Sequence, residues 1–243
     1  MAHSWLIELG HSRLKWARSR SGVLEGEPGV TDFEGAGELA AAIAREPGAG
    51  LWLAAVPEQG AVDRLTGILD AAGLAWNRVL NGRPELPVRP AYPGLGVDRW
   101  LALQWPWREF RSAFCLADCG SALTVDLVDE AGIHRGGWIM PGIRAARRGL
   151  LAVAPGLRRP RREAGDPARP AEDTAEGIER GILLQQAGSI RACAAAGAEA
   201  LGRNLPLYLT GGDAGQLESL LEDCRVEPHL VLRGLAMAAG MAK

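Results

Sequence analysis

Two short segments of the chain each place a carboxylate at the end of an apolar run, ahead of a glycine and a small hydroxyl residue. The first runs from Glu8 to Ser12 and the second from Asp118 to Ser121. In a tight hairpin such a carboxylate can hold a cation, while the N–H groups of the turn point at phosphate oxygens. The segments indicate either a duplicated phosphate-binding unit or two turns that agree by chance.

A third segment, Thr210-Gly211-Gly212, follows the apolar run 205–209. Glycines at a strand end let an adenine or a ribose approach the backbone closely, although the same pattern often marks only a turn. The three segments together predict a site for a nucleotide. It is not a P-loop, because neither of the two lysines, Lys15 and Lys243, follows a glycine.

The composition is that of an ordinary globular protein. The 243 residues are 47% hydrophobic and 23% charged, which is enough for one large core or two small ones. The formal net charge of -2 gives no field that would attract nucleic acid or anionic lipid. No apolar run approaches the roughly 18 residues of a membrane span. We therefore expect a cytoplasmic protein with no nucleic-acid partner and no membrane partner.

The four cysteines predict free thiols. They show no C-x-x-C spacing, and the chain has only four scattered histidines, so a zinc site is not favoured. Unpaired thiols suit a reducing compartment.

The hydrophobic pattern predicts that strands position both acidic turns. Apolar runs at 5–9 and 14–17 predict a hairpin around the first turn, and runs at 113–117 and 122–128 predict one around the second. A further strand is expected at 133–139. Each acidic turn should therefore connect two antiparallel strands.

Helices are expected between these strands and after them. They are predicted at 38–45, from Asp98 to an interruption at Pro106, from Asp173 or Thr174 to about Leu201, and at 234–242. The mixture predicts an α/β protein with domains at 1–109 and 110–243.

The motifs, in this order, resemble the actin-like ATPase superfamily of sugar kinases, and over nearly the whole chain they are similar to the type III pantothenate kinases. The matching blocks are Gly96-Val97-Asp98-Arg99 for the family's G-x-D-R motif, Asp118 to Asp126, Gly136 to Gly142, Thr174 with Glu176 and Gly177, and Thr210-Gly211-Gly212. The resemblance implies two duplicated actin-like ATPase (ribonuclease H-like) domains. Each would be a mixed β-sheet flanked by helices, with a nucleotide cleft between them.

The resemblance also implies a site for pantothenate. Asp98 would accept the proton of the attacking hydroxyl, although by its position alone it also suits a helix N-cap. Arg99 would hold the pantothenate carboxylate by a bidentate contact, for which its guanidinium is suited. The implied substrate-binding residues are Tyr92, Gly96, Val97, Asp98, Arg99 and Thr174, the last reaching the substrate from a neighbouring subunit.

The first acidic turn corresponds to the family's D-x-G-N-T-x-x-K motif, with Glu8, His11 and Ser12 replacing Asp, Asn and Thr. A glutamate reaches one methylene further and could still hold a hydrated Mg²⁺, whereas His11 cannot reproduce the paired donor and acceptor of an amide. The ATP-binding residues implied by resemblance are Glu8, Leu9, Gly10, His11, Ser12, Arg13, Leu14, Lys15 and Ser121. Asp118 would bind the monovalent cation, K⁺ or NH₄⁺, that the family requires.

These assignments predict a kinase that uses ATP with Mg²⁺ to phosphorylate the 4'-hydroxyl of pantothenate, the first step of coenzyme A biosynthesis. Gly177, Gly181 and Gly188 in the helix from Thr174 could allow close packing in a homodimer. Two alternatives remain: a non-catalytic accessory regulator of the same family, and another small-molecule kinase or phosphatase of the superfamily. The joint presence of Asp98 and Arg99 favours the enzyme.

Overall fold

The computed structural model describes residues 3–10, 13–56, 59–157 and 165–241. These residues form two compact units. Unit 1 contains the described residues up to Ser112, Gly132–His134 and those from His229 onward, and unit 2 contains Ala113–Ala131 and Arg135–Pro228. The sequence predicts one domain over 110–243, whereas by contacts the described residues from His229 onward belong to unit 1.

Ten strands and seven α-helices make up the described chain. The strands are β1 His3–Leu9, β2 Leu14–Arg20, β3 Val23–Thr31, β4 Gly50–Ala55, β5 Asn77–Arg78, β6 Phe114–Cys119, β7 Ala122–Val128, β8 His134–Pro141, β9 Leu207–Thr210 and β10 Cys224–Val226. The helices are α1 Ala36–Ala44, α2 Gln59–Ala71, α3 Val97–Phe110, α4 Ile143–Val153, α5 Thr174–Leu201, α6 Ala214–Leu217 and α7 Leu230–Gly240.

Unit 1 is built on a five-stranded mixed sheet of order β3-β2-β1-β4-β5. Strands β1 and β2 are antiparallel, whereas β4 is parallel to both β1 and β5. Because side chains alternate along a strand, Ile7 and Leu9 join the core beneath α1 and α2, while Glu8 points to the opposite face. Helix α7 packs against β1 and against α3, where Gly234 lies directly on the backbone of Leu101.

Unit 2 repeats the arrangement with the order β10-β9-β6-β7-β8. Strands β6 and β7 are antiparallel, and β9 is parallel to both β6 and β10. The long helix α5 covers the sheet through Ile182, Ala187 and Ile190. Near its end, Gly197 lies against the side chain of Leu127, so that a larger residue there would clash.

The predicted hairpins and the long helix are present. The strands on both sides of each acidic turn are formed, and α5 begins as predicted, with Asp173 Oδ1 accepting a hydrogen bond from the N–H of Glu176 at 2.9 Å. The α/β class is therefore confirmed by two mixed sheets flanked by helices. No helix within the described ranges is long and apolar enough to cross a membrane.

Several elements differ from the expectation. Helix α3 does not end at Pro106 but continues to Phe110, because burial of Trp100, Leu101 and Leu103 holds it in place while the proline itself packs in the interior. Helix α4 and strand β3 were not predicted. Helix α4 is amphipathic, but only Ile143 among its residues is fully buried in this structure.

Candidate active site

The first acidic turn is closed by an ion pair across its hairpin. Glu8 and Lys15 are directly opposite each other in the β1–β2 register, and Lys15 Nζ lies 2.9 Å from Glu8 Oε1. The N–H of Gly10 donates to the carbonyl of Arg13 at 3.1 Å. Leu9 and Leu14 are buried in the core, so of these two residues only the backbone is available to a nucleotide. His11 and Ser12, both predicted to bind ATP, lie outside the described residues.

Glu8 is a buried carboxylate with an altered acidity. Burial raises the pKa of Glu8 above its ordinary value, the charge and hydrogen bond of Lys15 lower it, and the carboxylate of Asp98 raises it further. Glu8 and Asp98, two of the predicted site residues, are therefore close enough within unit 1 to interact electrostatically.

The start of α3 presents the G-x-D-R segment. The carbonyl of Gly96 accepts the first helical hydrogen bond, from the N–H of Trp100 at 3.0 Å, and Val97 is the first helical residue. Asp98 Oδ1 accepts a hydrogen bond from the N–H of Arg99 at 2.7 Å. A negative charge in the first turn is favoured by the helix dipole. The Asp98 carboxylate is thus held at the N-terminal end of α3.

Arg99 and Tyr92 form the second part of this cluster. Arg99 is only 8% exposed, and its Nη1 donates to the hydroxyl of Tyr92 at 3.3 Å. Tyr92 is 42% exposed. A guanidinium presents a planar fork of N–H donors that matches a carboxylate, so Arg99 together with Tyr92 could bind such a group. Unit 1 therefore brings together Glu8, Lys15, Tyr92, Asp98 and Arg99.

Unit 2 brings the second acidic turn together with the glycine segment. Asp118 is opposite Thr210 in the parallel β6–β9 register, and the N–H of Asp213 donates to the carbonyl of Cys119 at 2.9 Å. Gly211 has a φ of 93°, and a Cβ placed there would lie 2.5 Å from Asp118 Oδ1. The close approach requires glycine. The structure thus joins two motifs that the sequence could only place separately.

Ser121 ends this second turn and is exposed on the surface of unit 2. Its carbonyl accepts a hydrogen bond from the N–H of Gly142 at 3.3 Å. The hydroxyl residue and the carboxylate of Asp118 therefore belong to one hairpin.

Cys119, between Asp118 and Ser121, is not suited to nucleophilic chemistry. Burial raises the pKa of its thiol to about 12, with further contributions from the carboxylates of Asp118 and Asp213. A thiol with this pKa is neutral at physiological pH, and only the thiolate is a strong nucleophile. The atoms of this turn that can bind a ligand are therefore its oxygen atoms.

A groove of about 620 Å³ lies between α4 and α5 in unit 2. Its lining residues are mostly small and apolar, and they include Thr174. The residues of this α4–α5 groove are Pro141, Ala145, Ala146, Gly149, Leu150, Thr174, Gly177, Ile178, Gly181, Ile182 and Gln185. Sequence analysis missed the α4 side, although the spacing of Ala145 and Gly149 places two small residues on one helical face.

The side chains present suit a magnesium ion bound mainly through a substrate. In the described part of the chain no three His, Cys, Asp or Glu residues cluster as a metal cage. Mg²⁺ commonly keeps several waters and is held by one or two carboxylates together with phosphates. The buried carboxylate of Glu8 provides that kind of ligand.

Comparison with known proteins identifies the family. The family model for type III pantothenate kinase matches residues 6–196. The chain belongs to the type III pantothenate kinase family. A type III pantothenate kinase of Teredinibacter turnerae is 32% identical over 251 residues, covering 98% of this chain and 99% of that protein. One from Pseudomonas aeruginosa is 39% identical over 150 residues, an alignment that spans only 60% of either chain. The family resemblance drawn from the motifs is confirmed.

Solved structures support the fold of this pantothenate kinase family member. A Campylobacter jejuni protein, proposed to be a Baf family transcriptional activator, matches with a TM-score of 0.65 at 18% identity and covers 98% of this chain and 96% of that one. Ethanolamine utilization protein EutJ from Carboxydothermus hydrogenoformans matches with a TM-score of 0.58 at 15% identity, covering 98% and 90%. At these identities the likeness concerns the fold alone, and it supports the α/β arrangement of two mixed sheets flanked by helices.

Proposed function

We propose that the protein is an ATP-dependent pantothenate kinase that transfers the γ-phosphate of ATP to the 4'-hydroxyl of pantothenate, the first step of coenzyme A biosynthesis. The observation that carries the proposal is the cluster at the start of α3. There a carboxylate, Asp98, and a buried arginine, Arg99, lie beside a tyrosine in a chain of this family. Phosphoryl transfer requires mainly positioning and charge neutralisation, with one group to accept a proton.

Asp98 is the proposed general base. Its Oδ1 accepts a hydrogen bond from the N–H of Arg99, which holds the carboxylate at the start of α3, next to the arginine proposed to bind the substrate. Arg99 and Tyr92 would bind the carboxylate end of pantothenate. Gly96 and Val97 would contribute backbone next to it, and Thr174 would contact the substrate from a second subunit.

The hairpin Glu8 to Lys15 is the proposed site for the ATP phosphates, together with Ser121. Lys15 would neutralise phosphate charge, and its contact with Glu8 fixes its direction. Bound Mg²⁺ would neutralise the charge that develops on the phosphate oxygens. Asp118 would hold the monovalent cation, K⁺ or NH₄⁺.

A homodimer is proposed through the α4–α5 groove. Gly149 and Gly181 line this groove, and Cβ atoms built on them meet nothing within 4 Å, so this surface is open to a second copy. Gly181→Glu should therefore give a monomer in analytical ultracentrifugation. Gly67→Glu in α2, another helical glycine facing open space, is the matched control and should leave the association state unchanged. Equal masses for both variants would count against this interface.

The alternative is a non-catalytic accessory regulator. The altered first turn favours it, because Glu8 and His11 depart from the family motif at the proposed phosphate site. The Campylobacter protein with the same fold has also been proposed to be a transcriptional activator.

An assay with ATP and pantothenate, with and without K⁺ or NH₄⁺, separates the two. We expect phosphopantothenate and ADP to form in equal amounts, and only when a monovalent cation is present. The Asp98→Asn variant controls for contaminating kinases. Folded protein that gives no product under any of these conditions would favour the regulator.

A further inference from the structure

The segment 79–96, which joins β5 to α3 and carries Tyr92, is a long connection with little regular structure. Four of its residues are prolines, which cannot donate backbone hydrogen bonds. Such a segment loses much conformational entropy when it is ordered, and it needs specific contacts to adopt one position. We call it the Tyr92 loop.

The centre of the Tyr92 loop is tied to α3 by a buried polar side chain. Gln104 is fully buried, and its Oε1 accepts a hydrogen bond from the N–H of Val88 at 2.9 Å. Its Nε2 donates to the carbonyl of Trp100 at 2.8 Å and lies 3.4 Å from the carbonyl of Val88. The indole Nε1 of Trp100 donates to the same Val88 carbonyl at 2.7 Å. Both backbone groups of Val88 are therefore bonded to α3.

Other contacts fix the rest of the Tyr92 loop. The N–H of Arg89 donates to the carbonyl of Gly132 at 2.9 Å, and the N–H of His134 donates to the carbonyl of Arg89 at 2.9 Å. Towards α3, Asn81 Nδ2 donates to the carbonyl of Leu95 at 2.5 Å. A turn follows Tyr92, since the N–H of Leu95 donates to its carbonyl at 3.3 Å.

The anchored loop carries Tyr92, which contacts Arg99 in the proposed substrate site. Tyr92 lies four residues after Val88, and its hydroxyl accepts the hydrogen bond from Arg99 Nη1. Gln104 and Arg99 belong to the same helix, so the helix that carries the arginine also fixes the loop that carries its partner. Loss of the Val88 contacts would leave a buried N–H unsatisfied and weaken the attachment of the loop to α3.

We propose that Gln104 is a positioning residue for the pantothenate site, acting through Val88 and the Tyr92 loop to orient Arg99. The inference rests on the proposed function for the identity of the substrate. Gln104 does not touch the substrate itself. Its effect should fall on the binding of pantothenate and spare the binding of ATP.

The first test is the kinetics of Gln104→Met, which keeps the length of the side chain but removes its hydrogen bonds. We expect KM for pantothenate to rise about tenfold or more, while kcat stays within about threefold and KM for ATP within about twofold. The control is Leu65→Ala, which creates a cavity at a fully buried core position of unit 1 outside the loop. It should lower Tm without changing KM for pantothenate.

The second test asks whether Gln104 acts through the loop. In a Tyr92→Ala background, Gln104→Met should change KM for pantothenate by less than about twofold, because both substitutions remove the same contact. Hydrogen exchange of the segment Val88 to Tyr92 should be faster in Gln104→Met and unchanged in Leu65→Ala. If Gln104→Met does not fold, Trp100→Phe removes the indole donor to Val88 and should show the same pattern.

The outcomes separate the two proposals. A variant with lower Tm but unchanged KM for pantothenate and unchanged exchange would show that Gln104 is only a core residue, and would overturn the inference. Wild-type protein that does not turn over pantothenate would overturn the proposed function instead. Hydrogen exchange of the segment Val88 to Tyr92, which does not depend on turnover, would then decide whether Gln104 fixes the loop.

Discussion

Lys15 Nζ lies 2.9 Å from Glu8 Oε1 across the β1–β2 hairpin, and Glu8 is only 8% exposed. The contact joins two charged residues of the proposed phosphate hairpin. A buried carboxylate is costly to ionise, and the lysine compensates part of that cost. Because Asp98 also raises the pKa of Glu8, the hairpin and the start of α3 are electrostatically coupled.

The first prediction concerns the pH dependence of stability. An acid whose pKa is higher in the folded than in the unfolded protein binds more protons when folded, so its contribution decreases as pH rises. For Glu8 the contribution is complete below the ordinary value of 4.5 and is lost as pH rises through the raised folded pKa. Glu8→Gln should therefore gain stability relative to wild type with increasing pH across this window.

Denaturant unfolding of both proteins at several pH values from 4 upward measures this difference. A difference in the free energy of unfolding that does not change with pH would contradict the raised pKa.

The second prediction concerns the proposed base. Asp98→Asn should lower kcat by roughly 10²- to 10⁴-fold, the loss expected for a general base. The fold should be preserved, because the amide oxygen of asparagine can still accept the hydrogen bond from the N–H of Arg99. Steady-state kinetics and thermal unfolding check the two parts, and an unchanged kcat would remove Asp98 from the mechanism.

The third prediction uses two adjacent glycines in unit 2. Gly211→Ala places a Cβ 2.5 Å from Asp118 Oδ1 and from the carbonyl of Cys119, in a backbone with a φ of 93°. The free energy of unfolding should fall by about 2–4 kcal/mol, from backbone strain and overpacking combined. The dependence of activity on K⁺ should weaken, since Asp118 must move.

Gly212→Ala is the control for that variant, because a Cβ at Gly212 meets nothing within 4 Å. Chemical denaturation and a K⁺ titration of activity should leave it close to wild type. Equal effects at the two positions would mean that the close approach to Asp118 is not the cause.

The sequence predicted those parts of the fold in which local pattern and tertiary environment agree. Apolar runs around Glu8 and Asp118 predicted both hairpins, and Asp173 with Glu176 marked the start of α5. The predicted end of α3 at Pro106 was wrong, because burial of neighbouring residues outweighed the backbone hydrogen bond that a proline cannot donate.

The site was predicted as motifs but not as a set of contacts. Gln104 is a polar residue on a helix, which in sequence alone suggests a solvent-facing position, and only the folded loop shows that it is fully buried. The packing of α7 in unit 1, with Gly234 on Leu101, was likewise not predictable, because it joins residues over a hundred positions apart.

The fourth prediction tests how closely Asp98 must be placed. A Cβ on Gly96 would lie 2.7 Å from Asp98 Oδ1, so the carboxylate would have to rotate away from the N–H of Arg99. The backbone at Gly96, with φ of -56° and ψ of 137°, is one that alanine adopts without strain. Gly96→Ala should therefore keep its Tm within a few degrees while kcat falls by about tenfold or more.

Gly94→Ala is the matched control, because its nearest neighbour, Tyr92 Cδ2, is 4.0 Å away. It should retain kcat near that of wild type in the same coupled assay. In the double variant Gly96→Ala with Asp98→Asn, the glycine substitution should have almost no further effect on kcat, because the group it displaces no longer accepts the proton. A full additional loss would mean that Gly96 acts on catalysis by a route that does not involve Asp98.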